Sequence, residues 1–274
     1  MSFEYCTLRD IMRQQTEGEG TILNSLYHIG FTAAHGAKYA ILPGDPGRVE
    51  PIAKNLENPR FYHQNREYTT WLGELSGETV MVMSTGMGGP STAIAVEELF
   101  QSGVTNFIRI GTCGGMALKV KGGDMVIATG AIRMEGTTRE YVPIEFPAVA
   151  HIDITNALIQ ASKNYGAHWH AGIVQCKDSF YGQHSPARMP VGYELENKWN
   201  AWVKAGCLAS EMESASLFIV SQILGARAGC ILNTIWNQER ERNGLDNPHN
   251  PDTTTGIRIA VEAIRLLIAS DKIS

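Results

Sequence analysis

The chain has 274 residues, 43% of them hydrophobic, with 28 acidic against 23 basic side chains and a formal net charge of -5. That size and apolar content suit one large α/β domain, and the acidic balance argues against a dedicated nucleic-acid binder. No apolar run reaches the roughly 18 residues of a membrane span. The five cysteines (Cys6, Cys113, Cys176, Cys207, Cys230) are odd in number and lack a C-x-x-C pair, so free thiols in a reducing, cytoplasmic setting are expected.

Residues 1–20 are polar, mixed in charge and without the apolar core of a secretory signal. They read as an N-terminal extension, a short helix and a Gly/Glu linker, ahead of a single domain over residues 21–274. The first buried strand is "YAIL" (39–42). It stops at Gly-Asp-Pro-Gly, with Asp45 as a helix N-cap, Pro46 as the first helical residue and Arg48 just after. This stretch is either a plain strand-to-helix connection or an anion site built from Gly44, free helix N–H groups and Arg48. It is not a P-loop, because no Gly-Lys-Ser/Thr follows.

Further strands are predicted at 79–85, 106–111, 124–133, 171–176 and 228–235, and helices at 90–103, 153–166, 210–225 and 253–270. Strands alternating with helices give a three-layer α/β fold, a mixed central sheet flanked by helices. No repeat or linker divides it.

The ends of these strands hold unusual chemistry. "RIGTCGG" (109–115) places Arg109 inside an apolar run. A buried arginine needs partners, either a core carboxylate or an anion shared with Thr112 and Arg48. In "LASEMESASLF" (208–218), Ser210 and Glu213 have capping-box spacing. The other reading is that Glu213 grips sugar hydroxyls, with Met212 as an apolar wall. Glu211, two residues from Glu213, is expected to face elsewhere. The polar loop "CKDSFYGQHSPARMP" (176–190) offers Phe180 for stacking and Gln183, whose paired carbonyl and NH2 complement the imide edge of uracil. His168 and His170 share a strand face, but two ligands without a local third make a poor metal site.

The ordered blocks "LPGDPGRV", "NREYTTW", "STGMGGPSTAIAVEEL", "FIRIGTCGG", "PIEFPAVA", "DSFYGQ" and "SEMESASLF" resemble the hexameric-type nucleoside phosphorylases, most closely the uridine-cleaving bacterial branch. The similarity runs from about residue 27 to about 270. It implies a catalytic domain that carries out reversible phosphorolysis of uridine and deoxyuridine to uracil and (deoxy)ribose 1-phosphate. No cofactor is implied, with inorganic phosphate as co-substrate.

By that resemblance, Gly44, Arg48, Arg109 and Thr112 hold phosphate, and Arg66 reaches the phosphate of a neighbouring subunit. His28 crosses to the neighbour's ribose 5′-hydroxyl. Met212 and Glu213 hold the ribose, and Phe180 and Gln183 the base. Glu67, Met87 and Ser91 match a site for a monovalent cation such as K+ between subunits. The family's base-side arginines are displaced: Ser185 stands at one position, with Arg188 nearby, and Gln238 at the other, with Arg240 two residues on; the resemblance still implies Gln238 and Arg240 at the base, with Arg240 or Arg188 stabilising the departing uracil beside Gln183. Asn237 stands where purine enzymes carry a proton-donating aspartate. The resemblance therefore favours uracil nucleosides and a homohexamer with shared sites, a trimer of dimers. The alternatives are a purine nucleoside phosphorylase, a phosphate-independent nucleosidase and a non-catalytic nucleoside sensor.

Overall fold

The computed structural model describes residues 25–273. The expected N-terminal extension, with Cys6, lies outside the described residues. Among the described residues there are ten strands, the central ones formed from apolar runs: β1 (Tyr39–Pro43), β2 (Glu57–Asn65), β3 (Tyr68–Leu75), β4 (Glu78–Met83), β5 (Asn106–Gly115), β6 (Met125–Met134), β7 (Ala148–Val149), β8 (Trp169–Lys177), β9 (Ala209–Glu211) and β10 (Arg227–Asn237). The α-helices among the described residues are α1 (Val49–Ala53), α2 (Gly89–Gln101), α3 (Ile152–Asn164), α4 (Phe180–His184), α5 (Gly192–Lys204), α6 (Ser214–Leu224), α7 (Gln238–Arg242) and α8 (Thr254–Asp271).

The strands make one mixed sheet in the order β2-β3-β4-β1-β5-β10-β6-β8-β9, and β7 pairs with β6. β9 also pairs with β5, so β5, β10, β6, β8 and β9 close into a ring. Strand alternation sends successive side chains to opposite layers. Leu42, Met81 and Phe107 pack with Val96, Leu99, Leu217 and Val220 from α2 and α6. Their neighbours Ile41, Val82 and Ile108 pack with Leu158, Ile264 and Leu267 from α3 and α8. Each such side chain contributes about 1.5–3 kcal/mol on burial, which fixes the register of the central strands. The expected three-layer arrangement is the one observed, with half of the sheet curled into the ring.

Asp45 caps its turn as expected, accepting from Gly47 N at 2.8 Å. Two other expected starts differ. α3 begins one residue early and is capped by His151 instead of Asp153. The helix expected from residue 210 begins at Ser214, because Ala209–Glu211 is recruited as a strand between β5 and β8. The β2–β3 hairpin and α5 were not anticipated.

Candidate active site

β9 bridges the C-terminal stretches of β5 and β8, pairing Gly114 with Ser210 and Cys176 with Glu211. Beside this junction lies a cavity of about 950 Å³. It gathers Gly44, Arg48, Arg109, Thr112, Phe180, Gln183, Met212 and Glu213, as well as Glu67, Met87 and Ser91. His28, Arg66, Gln238 and Arg240 do not line it.

At one end β1 stops at the turn holding Gly44. A Cβ there would sit 3.0 Å from the Gly86 carbonyl and 3.7 Å from Arg109 Nη1, so a side chain would crowd the corner. Arg109 is buried, with Leu42 and Cys230 as its register partners on either side. Its Nη2 donates to Glu213 Oε2, and its Nε lies 3.7 Å from Glu211 Oε2. Burial would lower its pKa, but Glu213 and then Glu211 outweigh burial and hold it above the ordinary value. Arg109 Nε and Nη1 have no hydrogen-bond partner among the described residues. A buried charged donor without a hydrogen-bond partner is costly, and the residue that carries these two borders the cavity. Arg48, at the end of the Pro46–Arg48 turn, lines the same cavity, with its Nε a loose 3.9 Å from Asp45.

Next to this corner Glu213 Oε1 accepts from Gly88 N at 2.7 Å, the residue that opens α2. Gly88 has φ 89°, a left-handed conformation that favours glycine. Burial pushes the Glu213 carboxyl up, against the pull of Arg109. The capping role expected of a Ser210–Glu213 box belongs to Glu211. Its carboxylate accepts from Glu213 N at 2.9 Å, from Ser214 N at 3.0 and 3.1 Å, and from the Ser214 hydroxyl. Glu211 thus sits beside Arg109 and on the cavity wall. The expectation that it faces elsewhere fails because the chain is not helical at 211–213.

The other end of the cavity is built by α4, which Ser179 caps through Gly182 N. Phe180 is 51% exposed and lies tilted on His184, with ring centroids 4.3 Å apart. Gln183 is buried. Its Oε1 accepts from Ser210 Oγ at 2.6 Å, and its Nε2 donates to Gln238 Oε1 at 3.1 Å. An amide oxygen has two lone pairs and an amide NH2 two hydrogens, so each atom keeps one more bond for a ligand. Lys177, which sequence reasoning passed over, also lines the cavity and donates to Ser210 Oγ at 2.6 Å. Its signal was weaker than that of Arg109: a lysine closing a strand, between Cys176 and Asp178.

The two arginines weighed for the base lie elsewhere. Arg240 donates to the carbonyls of Asp246 and Leu118 at 2.6 and 2.5 Å, and Arg188 stacks over Tyr181 at 5.1 Å. Asn237 is fully buried, its NH2 on the carbonyls of Ala117 and Val120 and its oxygen capping α7. Cys113 lines the cavity, but burial pushes its thiol up to about 12, so it offers no thiolate nucleophile.

His28 and Arg66 lie together outside this cavity. Arg66 is exposed in the two-residue β2–β3 turn at φ 52°, 5.8 Å from the Tyr27 ring. Asn65 donates to the His28 carbonyl at 2.7 Å, and His28 Nδ1 is held by Glu98 at 2.6 Å. The proposed cation residues cluster around Gly86, whose Cβ would meet Glu67 and Ser91 at 3.0 and 3.3 Å. Met87 beside them is 84% exposed.

His168 and His170 do have a third donor. Asp124 stands 3.0 Å from each, and one ligand atom from each residue falls within 4.8 Å of the others. Sequence spacing hid Asp124, which precedes β6 and is brought in by the parallel β6–β8 pairing. The cluster is at the opposite end of β8 from Lys177, roughly 20 Å away at about 3.3 Å per residue.

Comparison with known sequences follows the same lines. The profile of the family described as the phosphorylase superfamily matches residues 38–269. The chain is 52% identical over 245 residues to a uridine phosphorylase of Treponema pallidum, covering 89% of this chain and 95% of the relative. It is 38% identical over 250 residues to a uridine phosphorylase of Escherichia coli, covering 89% and 99%. A guanosine phosphorylase of Halorubrum lacusprofundi is 41% identical over 192 residues, covering 70% and 75%.

Proposed function

Because the chain belongs to the phosphorylase superfamily, we propose that its cavity carries out reversible phosphorolysis of uridine and deoxyuridine, giving uracil and the sugar 1-phosphate. The observation that carries this reading is the pair of open donors on buried Arg109, beside Gly44, in one cavity with the Gln183 amide. Phosphate is held by Gly44, Arg48, Arg109 and Thr112. The ribose rests on Glu213 and Met212, and the base stacks on Phe180 with its imide edge at Gln183.

In the reaction the N1–C1′ bond breaks, and its electron pair leaves on the uracil ring. A phosphate oxygen bonds to C1′ from the opposite face. The proton of hydrogen phosphate is lost from the new ester and neutralises uracil, so atoms and charge balance. Catalysis is positioning and electrostatics, with no covalent enzyme intermediate. Opposite charges close together make the site work: the carboxylates keep Arg109 charged and aligned, and the incoming dianion takes its open N–H groups.

His28 and Arg66 sit on one surface patch, outside their own cavity, and serve a neighbouring subunit's site in a hexamer built as a trimer of dimers. A monovalent cation such as K+ sits between subunits at Glu67, Met87 and Ser91; removing K+ lowers thermal stability, and stability indifferent to K+ contradicts that site. The setting is pyrimidine salvage in the cytoplasm; among the described residues no helix is long and apolar enough to cross a membrane. The purine alternative is weaker, because the Asn237 side chain is fully engaged and carries no acidic proton.

The test is a panel of uridine, thymidine, cytidine, inosine and adenosine with and without phosphate. Phosphate-dependent cleavage of uridine is expected. Equal rates without phosphate identify a nucleosidase, preferred cleavage of inosine identifies a purine enzyme, and no turnover of any nucleoside identifies a sensor.

A further inference from the structure

Among the described residues, no arginine lines the base end of the cavity, where a departing uracil anion calls for a cation. Among the described residues, the lysine and arginine side chains lining the cavity are Arg48, Arg109 and Lys177. The first two belong to the phosphate corner. Lys177 is buried at the end of β8 and touches Ser210, which touches Gln183.

The direction of these hydrogen bonds is fixed by chemistry. An ammonium has donors only, so Ser210 Oγ must accept from Lys177 at 2.6 Å. Its single O–H is then free to donate to Gln183 Oε1, also at 2.6 Å. That bond sets which way round the Gln183 amide stands, and Nε2 follows by donating to Gln238 Oε1 at 3.1 Å. We infer that Lys177 is the positioning residue for base recognition: through Ser210 it locks the Gln183 amide in the orientation that reads uracil, and it places a positive charge beside the leaving base. This inference rests on the uridine reading above.

The locked amide presents one remaining lone pair on Oε1 and one remaining N–H on Nε2. Uracil offers a complementary N3–H and carbonyl. Cytosine offers an acceptor at N3 and an NH2 at C4, the reverse order, and meets the wrong atom at both positions. A free amide could turn over and accept either base; a locked one cannot. The cost of leaving a buried polar group unpaired is what gives such a site its selectivity. The charge serves the same base: negative charge from the broken N1–C1′ bond spreads to the uracil carbonyls, near the ammonium. Burial lowers the Lys177 pKa, with Glu211 pulling the other way, and the buried ammonium is little screened.

The experiment compares wild type, Lys177→Met, Lys177→Arg and Ser210→Ala for phosphorolysis of uridine and cytidine. Lys177→Met keeps the length of the side chain and removes the charge. It is expected to lower kcat/KM for uridine by about 100-fold, the scale of losing one oxyanion-type donor. The uridine-to-cytidine ratio should fall at least about tenfold, while the KM for phosphate stays within about twofold. Lys177→Arg, also donor-only, should restore the ratio. Ser210→Ala keeps the charge but unlocks the amide, so it should lose the ratio with a smaller loss of rate. Should Lys177→Met not fold, Ser210→Ala decides on the ratio alone. A wild-type ratio in either Lys177→Met or Ser210→Ala overturns the inference. Failure of the wild type to cleave uridine with phosphate defeats instead the reading on which it rests.

Discussion

In the proposed reaction, Arg109 answers both to the protein and to a ligand. Two carboxylates hold its charge inside the fold, while its Nε and Nη1 stay open. Arg109→Ala should lower uridine phosphorolysis by about 10²–10³-fold, measured as kcat/KM at fixed phosphate. Glu211 has the other task. Its carboxylate ties the start of α6 to β9, so Glu211→Ala should cost about 2–4 kcal/mol of stability, as lost cap and unsatisfied buried groups; a urea midpoint equal to wild type contradicts the role.

Much of this site was legible at residue scale, because a charged side chain in an apolar run is conspicuous. Arg109 was read that way. Lys177 closes its strand after Gln175 and Cys176 and stands next to a polar loop, so it was not conspicuous. Glu211 was set aside because its spacing was judged as helical, and only strand pairing to β5 and β8 reveals otherwise.

At the scale of elements, the central strands announced themselves because both of their faces are buried. β2 did not: most of its residues are exposed at the sheet edge, so no alternation survives. α5 buries only Gly192 and Trp199 and reads as a polar stretch. The last helix is clamped to the sheet by polar contacts. Asp271, near the end of α8, accepts from Tyr39 Oη at 2.7 Å and from Arg227. The hydrogen bond from Arg227, with that from Tyr39, holds the Asp271 carboxyl below its usual value despite burial. A depressed folded-state pKa adds stability above the unfolded pKa, and that stability is lost as pH falls through the folded value. Asp271→Asn should therefore cost about 1–2 kcal/mol near neutrality. The gap to wild type should close in acid, below the lowered Asp271 pKa. A gap independent of pH in urea titrations contradicts the clamp.

For the whole molecule, the separation of His28 and Arg66 from their own cavity is the decisive feature. If Arg66 serves a neighbour, Arg66→Ala and Arg109→Ala damage different subunits' contributions to a site. Each variant alone is impaired. Mixed assemblies pair an intact Arg109 with an intact Arg66 in some sites, so co-refolded variants should regain turnover well above the sum of the two parents. No gain on mixing contradicts shared sites.

The account as a whole claims that phosphate, not water, attacks the sugar. The most direct measurement is a phosphorus NMR time course of the protein with uridine and inorganic phosphate. A sugar 1-phosphate resonance should grow in step with free uracil while inorganic phosphate falls. Uracil released beside free ribose, with the phosphate signal unchanged, would contradict the claim.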